Sequence, residues 1–233
     1  MTHSDSRFLL KFATPASPKS LKKMNFRSIL ITAALIASGA PNHAAAAGPC
    51  GDLENAYGPY DYSNPANRRD YLPIVEKFHF TSNVENLIKG RSDTIIGDLD
   101  YTLRAFPNHH RALYSMIRYQ LDHPVQPGSQ FYTAECYLDR AMRFVPTDPV
   151  PHMLAGIYYQ RSNDLQKALQ SYLEAYAIAP DWVELNYNLG LLYLELGDND
   201  KALEHAHFAY QRGYALQGLK SKLTRKGLWA QNN

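Results

Sequence analysis

Histidine and cysteine are the residue types in this sequence with the clearest potential for chemistry. The chain has nine histidines and two cysteines, enough for a metal site if their spacing were suitable. His109 and His110 are adjacent, and His205 and His207 are two residues apart, so neither pair shares one helix face. No H-E-x-x-H or paired-cysteine motif accompanies them. We therefore expect solvated or locally hydrogen-bonded histidines and no metal site.

Sequence signatures of catalysis are missing as well. The sequence contains no G-x-S-x-G, Walker or G-x-G-x-x-G motif, and its two cysteines do not form a C-x-x-C redox pair. Asp98 and Asp100 are two residues apart on a predicted helix and do not make an acid–base pair. An enzyme whose site is assembled from distant residues stays open as the minor alternative. The prediction is a non-enzymatic protein with no catalytic residues and no cofactor.

The first 47 residues have the pattern of an export signal. An apolar run from Ile29 to Ala40 follows Lys22, Lys23 and Arg27 and precedes a stretch of alanines. This order is typical of a secretory signal peptide, and the run is shorter than the ~20 apolar residues of a membrane-spanning helix. The sequence therefore predicts a periplasmic or secreted protein.

Processing of this leader is expected near Ala46 or Ala47, which leaves no membrane span in the mature chain. Met24 is the expected start, because it gives a signal peptide of ordinary length. An uncleaved anchor is the alternative, and Pro49 before Cys50 does not resemble a lipoprotein signal.

Removing the leader reverses the net charge. Residues 1–47 hold six of the 24 Lys and Arg residues but one of the 22 acids, so a precursor charge of +2 becomes −3. A mildly acidic chain is not expected to bind nucleic acid. The apolar content of 45% is enough for one folded domain.

Small and aromatic residues recur at a spacing of 34 in the second half of the chain. The matched pairs are Gly156 and Gly190, Tyr159 and Tyr193, Ala168 and Ala202, and Ala175 and Ala209. Ala134, Ala141 and Pro146 stand 34 residues before Ala168, Ala175 and Pro180. This pattern resembles the tetratricopeptide repeat, a pair of antiparallel helices that pack closely at small residues.

The resemblance implies an all-α fold, a short right-handed solenoid of about three such units over residues 81–214. The best unit is Pro149–Pro180, and the next follows it to Tyr214. An earlier unit, His109–Pro146, contains an insertion at His123–Gln130, and Asp100–Pro107 looks like a more divergent second helix.

Residues 48–80 are rich in Tyr, Pro, Asn and Gly, which predicts an irregular segment. With its neighbours, this segment resembles the leader-proximal part of uncharacterised secreted bacterial repeat proteins. We expect it to pack on the repeats as a cover, with a loose linker as the alternative. Its tyrosines also leave open a second function, the binding of a small ligand or glycan.

Residues 215–233 are predicted to form a capping helix and tail, because a solenoid exposes an apolar face at each end. Leu216, Leu219, Leu223 and Leu228 are near helical spacing. The alternative is a basic helix that makes weak contact with anionic surfaces.

Repeat solenoids usually bind a peptide or helix on the concave surface formed by the first helix of each unit. The predicted function is accordingly a protein-interaction module or scaffold in the bacterial cell envelope. Its own N-terminal segment could instead occupy the groove. By position in the repeat, the predicted lining residues are Leu113, Ile117, Gln120, Met153, Ile157, Gln160, Arg161, Tyr187, Leu191, Leu194 and Glu195.

The two cysteines, Cys50 and Cys136, are predicted to form a disulfide. An exported protein meets an oxidising compartment, and both cysteines remain after the leader is removed. The bond would fasten the N-terminal segment to the repeats. The alternative is that Cys136 is a small buried residue in helix packing.

Overall fold

The computed structural model describes residues 50–229. This part of the chain is all-helical, without a strand. We number its helices in chain order, as follows: α1 Pro65–Asp70, α2 Leu72–His79, α3 Ser82–Glu85, α4 Ile95–Ala105, α5 His110–Asp122, α6 Ala134–Phe144, α7 Pro149–Arg161, α8 Leu165–Ile178, α9 Val183–Leu196, α10 Asn199–Gln211 and α11 Gly218–Arg225.

The repeating unit is a helix pair, seen most clearly in α7 with α8 and in α9 with α10. Two or three residues join the helices of each pair, and connections this short make them antiparallel neighbours. Asp164 and Asp198, 34 residues apart, cap α8 and α10 by accepting the backbone N–H of Lys167 and Lys201. The stacked pairs form the predicted all-α helical solenoid.

A close approach at Gly156 lets α7 and α8 pack together. A Cβ atom placed on Gly156 would lie 2.4 Å from the ring of Tyr172, and the facing Ala168 and Ala175 are fully buried. The small residues of the 34-residue pattern therefore lie where the two helices touch.

The insertion in the earlier unit is present as an 11-residue connection, 123–133, between α5 and α6. Gln120 holds the end of this connection in place. Its side-chain amide donates to the backbone oxygen of Tyr132 at 2.9 Å, and its Oε1 accepts the backbone N–H of Ala134 at 2.6 Å. The long connection is thus fixed at its junction with α6.

Residues 48–80 are predicted to form an irregular segment. In the described part of this segment, only residues 50–64 are irregular. Beyond residue 64, α1 and α2 are helical, so the prediction was wrong there. Asn64 caps α1 by accepting the backbone N–H of Ala66 and Asn67, and Pro65 begins the helix. Leu72 and Val75, three residues apart, bury one face of α2. The turn-forming residues of this segment therefore mark the start of a helix and not a continuous loop.

The predicted C-terminal cap is confirmed in α11, which is shorter than the segment from which we inferred it. Leu219 and Leu223 are fully buried, and α11 packs against both α9 and α10. The apolar end of the last helix pair is therefore covered. The predicted signal peptide and its cleavage site lie outside the described residues.

Candidate interaction surfaces

Most of the side chains predicted to line a concave groove belong to the core. Seven of the eleven are buried, so for them the prediction of an accessible lining was wrong. The buried residues are Leu113, Ile117, Gln120, Met153, Ile157, Tyr187 and Leu194.

Packing between successive units explains this burial. Helices α5, α7 and α9, the first helices of their units, contact one another in sequence. The large side chains at the predicted positions fill the space between these helices. The Tyr187 ring also packs against the rings of Tyr210 and Tyr214. A position in the repeat predicts which side of a helix a residue lies on, but not whether a neighbour covers it.

Four predicted groove residues remain accessible, near the C-terminal ends of α7 and α9: Gln160, Arg161, Leu191 and Glu195. The Gln160 side-chain amide donates to Oε2 of Glu195, which belongs to the next unit, at 2.8 Å. Gln160 Oε1 accepts the hydroxyl of Tyr172 at 3.1 Å. Gln160, Arg161 and Glu195 form a small polar surface, with Leu191 as its apolar member, and contact of these residues with a partner stays a prediction.

The N-terminal segment, residues 50–64, is bound along the second helices of the repeats. The disulfide between Cys50 and Cys136 of α6 is present, with Cα atoms 5.0 Å apart, and the predicted pairing is confirmed. Arg140, also on α6, is buried and donates to the backbone oxygens of Cys50 and Asp52. The Tyr60 N–H donates to Ala105 O at 2.9 Å. Residues 50–64 therefore act as a strap on the second-helix side and do not fill the predicted groove.

A buried polar network fastens the other end of this strap. Asn108 accepts the backbone N–H of Tyr62 at 2.8 Å and donates to Asp61 and Asp148. His110 Nε2 lies 2.7 Å from Asp148 Oδ2. Burial alone would raise the pKa of the Asp148 carboxyl, but the hydrogen bonds from His110 and Asn108 keep it below its usual range. These polar residues are used to hold the fold together.

The two buried histidines of the described chain also have structural partners. His109 lies 3.3 Å from Glu76 Oε1, and its burial lowers the pKa of its imidazole. His205 Nδ1 lies 2.8 Å from Asn186 Oδ1, with its ring stacked on Tyr193. Over residues 50–229, no three His, Cys, Asp or Glu side chains are grouped as metal ligands would be.

Glu184, in the first turn of α9, is a buried carboxyl that sequence reasoning missed. Its residue is 6% exposed, and its Oε1 atom has no hydrogen-bond partner. Burial raises the pKa of this carboxyl to about 9, so it is neutral at pH 7. An acid in the first turn is ordinary in helices, and the sequence pattern therefore gives no sign of its burial.

The tyrosines of the strap contact other aromatic rings of the protein. Tyr60 stacks on Tyr71 with ring centres 4.1 Å apart and contacts Tyr57 edge-on at 5.2 Å. The Tyr57 hydroxyl donates to the backbone oxygen of Tyr71. Stacking thus covers one face of the Tyr60 ring and one face of the Tyr71 ring.

Large apolar side chains reach solvent on two helices. On α2 the exposed side chains are Ile74 and Phe78, with Tyr71 just before the helix. On α8 they are Leu173 and Ile178. The spacing of three and four residues on α2 could have been seen in the sequence, but it does not distinguish an exposed face from a buried one.

Comparisons with known proteins find a partial similarity. No family model matches this sequence. A segment of 76 residues is 37% identical to the BBSome complex member BBS4 of Bos taurus; it covers 33% of this chain and 14% of that protein. This similarity and the stacked helix pairs are compatible with a tetratricopeptide-repeat-like protein. Within the described residues, no helix is both long and apolar enough to cross a bilayer.

Proposed function

We propose that the protein is an exported, non-enzymatic interaction module, in which the helix pairs form a rigid scaffold and a segment of another protein is the ligand. The observation that carries this proposal is the exposure of large apolar side chains on α2 and α8. Apolar residues grouped on one surface mark binding sites more often than singly scattered ones do. The name of the relative, a member of a complex, supports the same function.

Export to the periplasm or the cell exterior is the second part of the proposal. The disulfide supports it, because such bonds persist in oxidising compartments and are rare in the cytosol. Both cysteines of the chain are used in this bond. The leader pattern in residues 1–47 points to the same destination.

Site-specific photo-crosslinking in cells tests the interaction. A photoreactive residue placed at Leu191 or Arg161 reports on the polar surface near the ends of α7 and α9; one at Ile74 reports on α2, and one at Leu173 on α8. We expect a discrete protein adduct from at least one of these positions and none from exposed Lys226. Adducts at none of the four positions would contradict an interaction function.

Binding of a small ligand or glycan by the tyrosine-rich segment is the other candidate. The stacking of Tyr60 on Tyr71 does not favour it. A thermal shift of the protein with sugars or peptidoglycan fragments, in the absence of any protein adduct, would support it instead.

A further inference from the structure

We propose that the exposed face of α2 binds an acidic amphipathic segment of a partner protein. The geometry that points to this surface is a stripe formed by Tyr71, Ile74 and Phe78, which we call the α2 stripe. This proposal rests on the proposed interaction function and adds the surface that binds and the chemistry of the partner.

The α2 stripe is one continuous face of the helix. Tyr71, Ile74 and Phe78 are 39%, 54% and 40% exposed, and residues spaced by three or four lie side by side on a helix. Buried Leu72 and Val75 lie on the adjoining side of the helix and set the orientation of α2. The described chain touches the stripe through Tyr60 on Tyr71 and Lys77 over the Phe78 ring, and these contacts leave all three side chains of the stripe partly exposed.

A neighbouring loop carries a further exposed apolar side chain. Ile88 is 67% exposed, and its loop lies beside the C-terminal end of α2. The Ser92 hydroxyl donates to the backbone oxygen of Phe78 at 2.7 Å. His79 Nδ1 and the Arg91 N–H both bond the buried carboxylate of Asp98.

Internal contacts hold the α2 stripe in place before any partner arrives. Tyr60 of the strap stacks on Tyr71, and the strap itself is fastened by the disulfide. A surface that is already ordered loses little conformational entropy on binding. The stripe is thus suited to recognition rather than left exposed by local disorder.

Basic side chains around the α2 stripe indicate the charge of the partner. Lys77, Lys89 and Arg91 are exposed, and no described carboxylate forms an ion pair with any of them. Of the acids nearby, Glu76 and Glu85 both pair with Arg111, and exposed Asp93 accepts the backbone N–H of Thr94. Lys77 lies over the Phe78 ring, 5.1 Å from its centre. Carboxylates of a partner would therefore find cations without an ion-pair partner beside an apolar stripe.

A protein segment fits this surface better than an anionic membrane does. Helices that lie in a membrane surface are rich in Lys and Arg along their polar face, whereas α2 has eight residues and a single lysine, Lys77. The net charge of −3 after residue 47 also opposes attraction to an anionic bilayer. A short acidic segment, by contrast, is attracted by the local cations Lys77, Lys89 and Arg91.

The test is a selection of random phage-displayed peptides on the disulfide-intact protein, followed by affinity measurements on variants. We expect selected peptides to carry excess Asp and Glu among apolar residues at helical spacing. Their affinity should fall about tenfold or more for Ile74→Glu and for a triple reversal of Lys77, Lys89 and Arg91 to Glu. Lys226→Glu, an exposed position away from α2 where no crosslink is expected, is the control and should leave affinity unchanged. Circular dichroism confirms that each variant is folded.

Three results would overturn this inference. Peptides that bind equally well to wild type and to Ile74→Glu would leave the interaction function standing but move it to another surface. Peptides without an acidic bias would contradict the stated chemistry. Co-sedimentation of wild type, but not of the triple variant, with phosphatidylglycerol vesicles would assign the surface to a membrane. Failure of the interaction function itself would appear as a selection that yields no peptide and as the lack of crosslinks described above.

Discussion

Individual residues in this protein show how closely the repeat pattern follows the helix contact. Gly156 occupies a position of the 34-residue pattern, and the structure brings its backbone against the ring of Tyr172. The same scale contains a position that the pattern does not explain, the buried carboxyl of Glu184. Each of these two features leads to a prediction.

Gly156→Leu should destabilise the protein, because a Cβ atom added at this position would lie 2.4 Å from the Tyr172 ring. Overpacking of this kind costs about 1–3 kcal/mol and sometimes more. Chemical denaturation measures the free energy of unfolding. Gln170→Leu, on the exposed side of α8, is the control and should change it little. Equal losses from the two variants would mean that the helix pair is not held at this contact.

Glu184→Gln should remove a pH dependence of stability. Burial raises the folded-state pKa of Glu184 to about 9, above its ordinary value near 4.5, so the native state binds a proton that the unfolded state has lost. Stability contributed by this group is therefore present at acid pH and declines as pH rises from about 4.5 to 9, by up to ~1.4 kcal/mol per pH unit.

Urea unfolding at pH 5 and pH 8 measures this effect. From pH 5 to pH 8, the free energy of unfolding should fall more for wild type than for Glu184→Gln. Exposed Glu204→Gln is the control and should follow wild type. Parallel pH profiles for wild type and Glu184→Gln would show that the carboxyl is hydrated or paired.

Among the structural elements, the strap of residues 50–64 joins sequence features that are far apart. It is fastened at one end by the disulfide and Arg140 and at the other by Asn108. It also supports the α2 stripe through the stacking of Tyr60 on Tyr71. Loss of the strap should therefore affect both stability and the presentation of α2.

Reduction of the disulfide should lower the free energy of unfolding. The bond closes a loop of 86 residues, worth roughly 4 kcal/mol in the chain-entropy model. Denaturation with and without a reductant measures the change. A Cys50→Ser/Cys136→Ser variant is the control, and its free energy of unfolding should be the same with and without the reductant. Mass spectrometry of protein recovered from cells gives an independent check. Labelling of two free thiols without reductant would show that the bond does not form.

At the scale of the whole molecule, the proposed export rests on two features. These are the leader pattern of residues 1–47 and the disulfide. The location can be tested independently of binding.

A fusion of residues 24–60 to a reporter that is active only outside the cytosol should give signal, because this fragment contains the predicted signal peptide. N-terminal sequencing of the exported protein should place its first residue between Ala45 and Pro49. Replacing two apolar residues within Ile29–Ala40 by Arg is the control and should abolish the signal. Full-length protein retained in the cytosol would contradict the prediction.

The helix pairs, the disulfide partners and the C-terminal cap could all be predicted from the amino-acid pattern. Small residues recur every 34 positions because helices approach closely there, and Gly156 shows that contact directly. Two cysteines in a chain with an export pattern allow one intramolecular pairing. A leucine spacing such as that of Leu219 and Leu223 predicts a buried helix face wherever an apolar end must be covered.

The exposure of each helix face could not be predicted in this way, because it depends on the packing of the folded chain. Met153 and Ile157 were expected at a groove and are buried between units, whereas Ile74 and Phe78 lie in a segment expected to be irregular and form an exposed stripe. Periodicity describes the direction of a side chain around its own helix. Exposure depends on the helix that packs opposite, and that neighbour is chosen by the fold as a whole.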